Sequence, residues 1–118
     1  MTEIDTLAEH LKTFATERDW GQFHTPKNLA MALAGETGEL LAEFQWLTPA
    51  ESAAIMEDGE AGSRVRAELA DVFLYVVRLA DVLGIDLIRS AHEKLEANAR
   101  RYDADSYRGT ARKAPPLS

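Results

Sequence analysis

Apolar residues recur along this chain at steps of three and four in four separate stretches. Ile4, Leu7, Leu11 and Phe14 mark the first, with charged residues between them, which predicts an amphipathic helix over about 3–18. Thr2 with Asp5, or Thr6 with Glu9, can form its capping box. The second helix is expected over about 26–46. Thr25 can cap it, Pro26 suits its first position, and Leu33, Leu40 and Phe44 turn inward. The third starts near Ser63 and stops at Gly84. Val72, Phe73, Leu74, Val76, Val77, Leu79 and Leu83 leave it apolar nearly all round, as in a helix buried on several sides. The fourth, about 87–102, is capped by Asp86 and turns Leu87, Ile88, Ala91, Leu95 and Ala99 inward.

The intervening stretches read as connections. Thr48 and Glu51 form a capping box for a short helix to about Met56, and EDGEAG at 57–62 is a polar loop. DWGQFHTP at 19–26 is a loop by its Gly and Pro, yet it carries Trp20, Phe23 and His24. The expected architecture is all-α, a bundle of about four main helices forming one domain over 1–102. Residues 103–118 hold Gly109 and Pro115-Pro116 and have no periodicity. They read as a flexible tail, or as a flap that orders on a ligand.

Composition narrows the function. With 118 residues, 46% hydrophobic, the chain suits a single core. No apolar run approaches the ~20 residues of a membrane span, and the acidic N-terminus lacks a signal core. Cysteine is absent, which excludes disulfides and thiolate metal sites and suggests a cytoplasmic protein. A net charge of −7 argues against a nucleic-acid-coating surface. Lys94, Arg100, Arg101, Arg108, Arg112 and Lys113 all fall in the last quarter. An acidic centre with a basic C-terminal portion suits a metal-bound polyphosphate better than a DNA backbone.

The acidic centre consists of two pairs. Glu36 and Glu39 sit three residues apart in the second helix, and Glu68 and Asp71 repeat the step in the third. That spacing puts each pair on one helix face, Cβ atoms roughly 5–6 Å apart. Solvated carboxylates at such spacing are common. Here one pair lies in a strongly apolar helix, Gly35 and Gly38 flank the other, and few cations are nearby. Each glycine costs about 1 kcal/mol relative to alanine in a helix interior and usually permits close approach of a backbone or ligand. Inward carboxylate pairs are expensive unless a cation lies between them. All-oxygen ligands suit Mg²⁺ or Mn²⁺. No Glu-x-x-His occurs, so the di-iron bundle pattern is not met. These features point to Mg²⁺-dependent hydrolysis of a phosphoanhydride. Trp20 and Phe23 either plug the bundle end or offer a ring to a base, and Trp46 is either core or a second stacking wall. Tyr75 follows Asp71 by one turn, and His24 reads as a loop hydrogen-bonder rather than a metal ligand.

GETGEL followed by ELADV resembles the E-x-x-E … E-x-x-D pattern of the all-α MazG-like nucleotide pyrophosphohydrolases. RDWGQFHTPKNLAMALAGETGELLAEFQW is similar to their dCTP pyrophosphatase branch. The likeness continues through DVFLYVV and the K-x-x-x-N-x-x-R-Y of Lys94, Asn98, Arg101 and Tyr102, covering roughly residues 5–102. The resemblance implies a helical bundle that works as an obligate homodimer or homotetramer with sites at subunit interfaces. It implies Mg²⁺ on Glu36, Glu39, Glu68 and Asp71, and hydrolysis of a nucleoside triphosphate, dCTP or a modified dCTP, to monophosphate and pyrophosphate. Water would attack the α-phosphorus in line, with Glu39 as base. Trp20 and Trp46 would flank the base with Tyr75 nearby. His24, Lys27 and Asn28 would shape the base and sugar end, and Lys94, Asn98, Arg101 and Tyr102 would hold the triphosphate. The acid after GEL is Glu43, one place later than the family pattern sets it, so its role stays open. Two other readings compete: the same chemistry on another canonical or damaged nucleotide, and a non-catalytic helical module that binds nucleotide or oligomerises.

Overall fold

The structure, a computed structural model, describes residues 1–116. Among these residues there is no strand. Six α-helices follow one another: α1 (Glu3–Glu17), α2 (Pro26–Ala42), α3 (Pro49–Ala53), α4 (Gly59–Leu83), α5 (Leu87–Arg101) and α6 (Ala104–Tyr107). Single 3₁₀ turns at Gly21–Phe23 and Ile55–Glu57 precede α2 and α4. The chain forms two compact units, Met1–Gly84 and a second from Ile85 onward.

Helix starts follow side-chain chemistry. Thr2 and Thr48 each form a full capping box with the acid three residues on, and Thr25 accepts from the Asn28 N–H. The start of α4 lies earlier than Ser63. Asp58 takes the N–H groups of both Glu60 and Ala61, so the helix includes Gly59–Gly62, which sequence reading makes loop. Its end is as expected, with Gly84 left-handed at φ 69°. In turn, α2 stops at Ala42 rather than 46, because Glu43 and Phe44 donate three residues back, to Leu40 and Leu41, and tighten the last turn.

The end of α1 fixes Trp20. Asp19 adopts a left-handed conformation (φ 54°), its N–H donates to Thr16 O, and the Trp20 N–H donates to Ala15 O at 2.9 Å. These are the two bonds of a Schellman motif, in the place glycine usually takes. Gln22 Nε2 donates to both the carbonyl and the carboxylate of Asp19. Trp20 thus folds back over α1, and its ring meets Phe14 edge-on at 5.5 Å.

In the first unit α4 is the central element, packed chiefly against α2 and also against α1 and the 3₁₀ turn at Ile55–Glu57. Gly62 makes the last contact possible: a Cβ there would lie 3.3 Å from the Met56 backbone. The buried apolar residues of this unit are Ala15, Leu29, Val65, Val77 and Ala80. That is a thin core for one chain, and it leaves part of the apolar surface of α4 uncovered. Leu69 is 56% exposed and Phe73 44%. A Cβ at Gly35 or Gly38 would meet nothing of this chain within 4 Å.

In the second unit Ile88 and Leu95, expected inward, are exposed. Residues 103–116, expected to lack order without a ligand, carry the one-turn α6 capped by Asp103. Tyr107 packs edge-on against Tyr102 at 5.1 Å, the Arg112 guanidinium lies over Tyr107, and Ala114 is buried. Tyr102, Tyr107 and Arg112 thus hold a segment that shows no hydrophobic period.

Asp58→Ala is expected to lower stability by about 1 kcal/mol, the usual cost of losing a cap. Equilibrium urea unfolding checks it, and a midpoint equal to wild type would show that the cap does not hold the start of α4.

Candidate active site

On α2, Glu36 and Glu39 lie one turn apart, and α4 brings Glu68 up to them. Oxygen atoms from the three carboxylates lie within 4.8 Å of one another. Asp71 stands beside this group rather than in it. Its charge acts on both Glu36 and Glu68. No cationic side chain forms an ion pair with these four acids among the described residues. One oxygen of Glu36 and one of Glu68 are buried with no hydrogen-bond partner. Buried polar atoms are ordinarily satisfied, so each of these oxygens is costly as it stands.

The electrostatics agree. Burial, then contact with the Glu39 carboxylate and the charges of Glu39, Asp71 and Glu68, push the Glu36 carboxyl above its ordinary range. Burial, Glu39, Asp71 and Glu43 do the same for Glu68. An all-oxygen donor set with orphaned buried atoms and surplus negative charge fits a hard divalent cation. Glu43 is set apart from this group by Arg64 on α4, whose Nε donates to both of its oxygens at 3.1 Å.

Beside the carboxylates lies a cavity of about 220 Å³. Leu11, Phe14, Trp20 and Leu74 give it apolar walls, and His24, Asp71, Tyr75 and Arg78 give it polar ones. Asp71 therefore belongs to both sites. Trp20, His24, Asp71 and Tyr75 are residues that the sequence singles out, whereas Arg78 is not among them. The signal was present: Arg78 is the lone cation in an apolar run, and positions 71, 75 and 78 share one face of α4. Its Nε donates to His24 Nδ1 at 3.1 Å and its Nη1 pairs with Asp81 at 3.5 Å. Desolvation, then the Arg78 charge, lower the pKa of His24 and keep the ring neutral.

The other expected residues are placed differently. Asn28 Nδ2 donates to Phe23 O at 3.0 Å and so braces the aromatic loop, while Lys27 is exposed. Trp46 is 87% exposed and forms no wall of the cavity. Lys94, Asn98, Arg101 and Tyr102 belong to the second unit. There the Arg101 guanidinium donates to the carbonyls of Ala114 and Pro115 and lies 5.2 Å from the Tyr102 ring centroid.

Residues 31–115 match the model of the MazG-like family. The chain belongs to that family. It is 43% identical over 104 residues, 88% of its length, to dCTP pyrophosphatase 1 of Rattus norvegicus and of Homo sapiens. It spans 61% of the length of those relatives. A pyrophosphatase of known structure from Archaeoglobus fulgidus is 36% identical, with a TM-score of 0.80, covering 87% of this chain and 94% of its own.

The raised carboxyl pKa values fix the sign of a pH effect. Without metal, the fold favours protonated Glu36 and Glu68. That contribution is fully present below the ordinary value of 4.5 and is lost as pH rises through the raised values. A divalent cation takes the deprotonated oxygens, so its stabilisation grows over the same range. Thermal unfolding with and without millimolar Mg²⁺, from mildly acidic to mildly alkaline pH, is expected to show a metal-induced rise in Tm that increases with pH. An equal rise at every pH would show that these carboxyls are not the ligands.

Proposed function

We propose that this protein is a Mg²⁺-dependent nucleoside triphosphate pyrophosphohydrolase that converts dCTP, or a base-modified dCTP, to the monophosphate and pyrophosphate. The supporting observation is the meeting of Glu36, Glu39 and Glu68, with two buried oxygens unpartnered, in a chain similar to proteins called dCTP pyrophosphatase 1. Bound by these three acids and Asp71, Mg²⁺ or Mn²⁺ would neutralise triphosphate oxygens and stabilise the charge that develops on the leaving pyrophosphate. The chain's own groups do the rest. Glu39, exposed where Glu36 and Glu68 are partly covered, accepts the proton of the attacking water. Trp20 stacks on the base, and His24, Lys27, Asn28 and Tyr75 shape its surroundings. By resemblance to the family, Lys94, Asn98, Arg101 and Tyr102 are the candidates to take phosphate oxygens. Stacking excludes no base by itself, so selectivity rests on the polar wall. The role suits removal of unwanted nucleotides from a cytoplasmic pool, and the net charge of −7 disfavours nucleic acid as a partner.

The working form in this reading is a homodimer or homotetramer. Met31, Leu41, Leu69 and Phe73 on α2 and α4 are each more than two-fifths exposed, and so is Trp46. Single exposed apolar side chains are ordinary, but this many around so thin a core mark a surface that a second copy covers. The open space at Gly35 and Gly38 lies on the same α2. Trp46 then reaches a base only from a neighbouring subunit. Sedimentation at micromolar concentration is expected to give a dimer or larger, and Leu69→Glu with Phe73→Glu to shift it toward monomer. A wild-type monomer would remove the assembly from the proposal.

Pyrophosphate release from the eight common NTPs and dNTPs tests the reaction. Release from dCTP above the rest, dependent on Mg²⁺, is expected. Glu39→Gln keeps the shape and loses the charge, so kcat should fall by about 100-fold or more. Full turnover by that variant would be inconsistent with the assignment, and binding without release would leave a nucleotide-binding module instead.

A further inference from the structure

The cavity beside the carboxylates holds a cation that the proposed phosphoryl chemistry does not use. Arg78 has a side chain only 12% exposed, and it sits among Trp20, His24 and Tyr75 on the walls of that cavity. Burying a guanidinium is costly unless its donors are used. It has five N–H groups. The structure gives partners to two of its nitrogens: Nε donates to His24 Nδ1 and Nη1 faces Asp81. Nη2 has no protein partner among the described residues. The bond to His24 also has a definite sense. Nδ1 accepts, so a neutral His24 carries its proton on Nε2 and offers a second donor. Depression of the His24 pKa by desolvation and by Arg78 agrees with that protonation state.

We propose that Arg78 is the specificity-determining residue of this site, reading the base through its guanidinium edge while holding His24 as a neutral donor. The inference rests on the nucleotide reading above and sharpens it. A cavity wall rich in donors selects for adjacent acceptors. Cytosine presents two, O2 and N3, which a guanidinium fork engages together. Uracil and thymine carry a proton on N3, so the fork meets one acceptor and one opposed donor. A stacking partner such as Trp20 cannot make this distinction, since every base has a π face. Arg78 contributes no proton to the reaction and touches no reacting phosphate in this scheme. It acts on which base is accepted.

The test compares wild type, Arg78→Lys and Arg78→Gln in Mg²⁺ with dCTP, dTTP and dUTP. The lysine variant keeps the charge and loses the fork. Both variants are expected to lose about tenfold or more of the preference for dCTP over dTTP and dUTP, mostly through KM, with kcat for dCTP within about threefold. An unchanged preference in variants that retain wild-type circular dichroism overturns the assignment while leaving the proposed function standing. Absence of pyrophosphate release by wild type from every nucleotide overturns both. A second measurement needs no variant: dCMP titrated into ¹⁵N-labelled wild type should shift the Arg78 Nε–H resonance, and dTMP should shift it less. Equal shifts overturn the assignment.

Discussion

Like charges forced together under partial cover are the central constraint of this molecule. Two helices of different phase bring three carboxylates within 4.8 Å, and two of the buried oxygens have no hydrogen-bond donor. Nothing within the first 84 residues compensates them. Of the three arginines on α4, Arg64 is committed to Glu43 and Arg78 to His24 and Asp81, and Arg66 pairs with none of these acids among the described residues. Protons or a divalent ion would relieve such a grouping. The packing of α4 on α2 and the cap at Asp58 sustain this crowding: they hold the helices that bear the acids in register.

Two of the three arginines of α4, Arg64 and Arg78, sort the polar groups around the site. Arg64 takes a fifth acid out of the set by binding both oxygens of Glu43. Glu43 therefore has a cationic partner, which the other four acids lack among the described residues. Arg78 does the corresponding work at the cavity, fixing one tautomer of His24. Both contacts join residues more than twenty positions apart, and both depend on the close pairing of α4 with what precedes it.

How much of this was legible in the sequence follows from what local chemistry encodes. The starts of α1, α2, α3 and α5 were readable because Thr2, Thr25, Thr48 and Asp86 cap their own neighbours. The carboxylate faces were readable because helical spacing alone puts Glu36 beside Glu39 and Glu68 beside Asp71. The true start of α4 was hidden by three residues that favour loops, Asp58, Gly59 and Gly62, whose cap and contact with Met56 are tertiary facts. Exposure of Phe73 and Leu83 on α4 and of Ile88 and Leu95 on α5 is not legible, since an apolar period does not say whether the same chain or another covers the stripe. Arg78 was missed because a single charge in an apolar run looks like a solubilising break until its partner, 54 positions earlier, is in view.

The chain has two tryptophans, and Trp20 is half as exposed as Trp46, at 43% against 87%. Trp20 is folded against Phe14 and His24, whereas Trp46 is almost wholly in water. Indole emission moves to shorter wavelength as water leaves the ring. The ultraviolet fluorescence of this protein is therefore a natural optical gauge, with Trp46 the component free to change colour when another molecule settles over it.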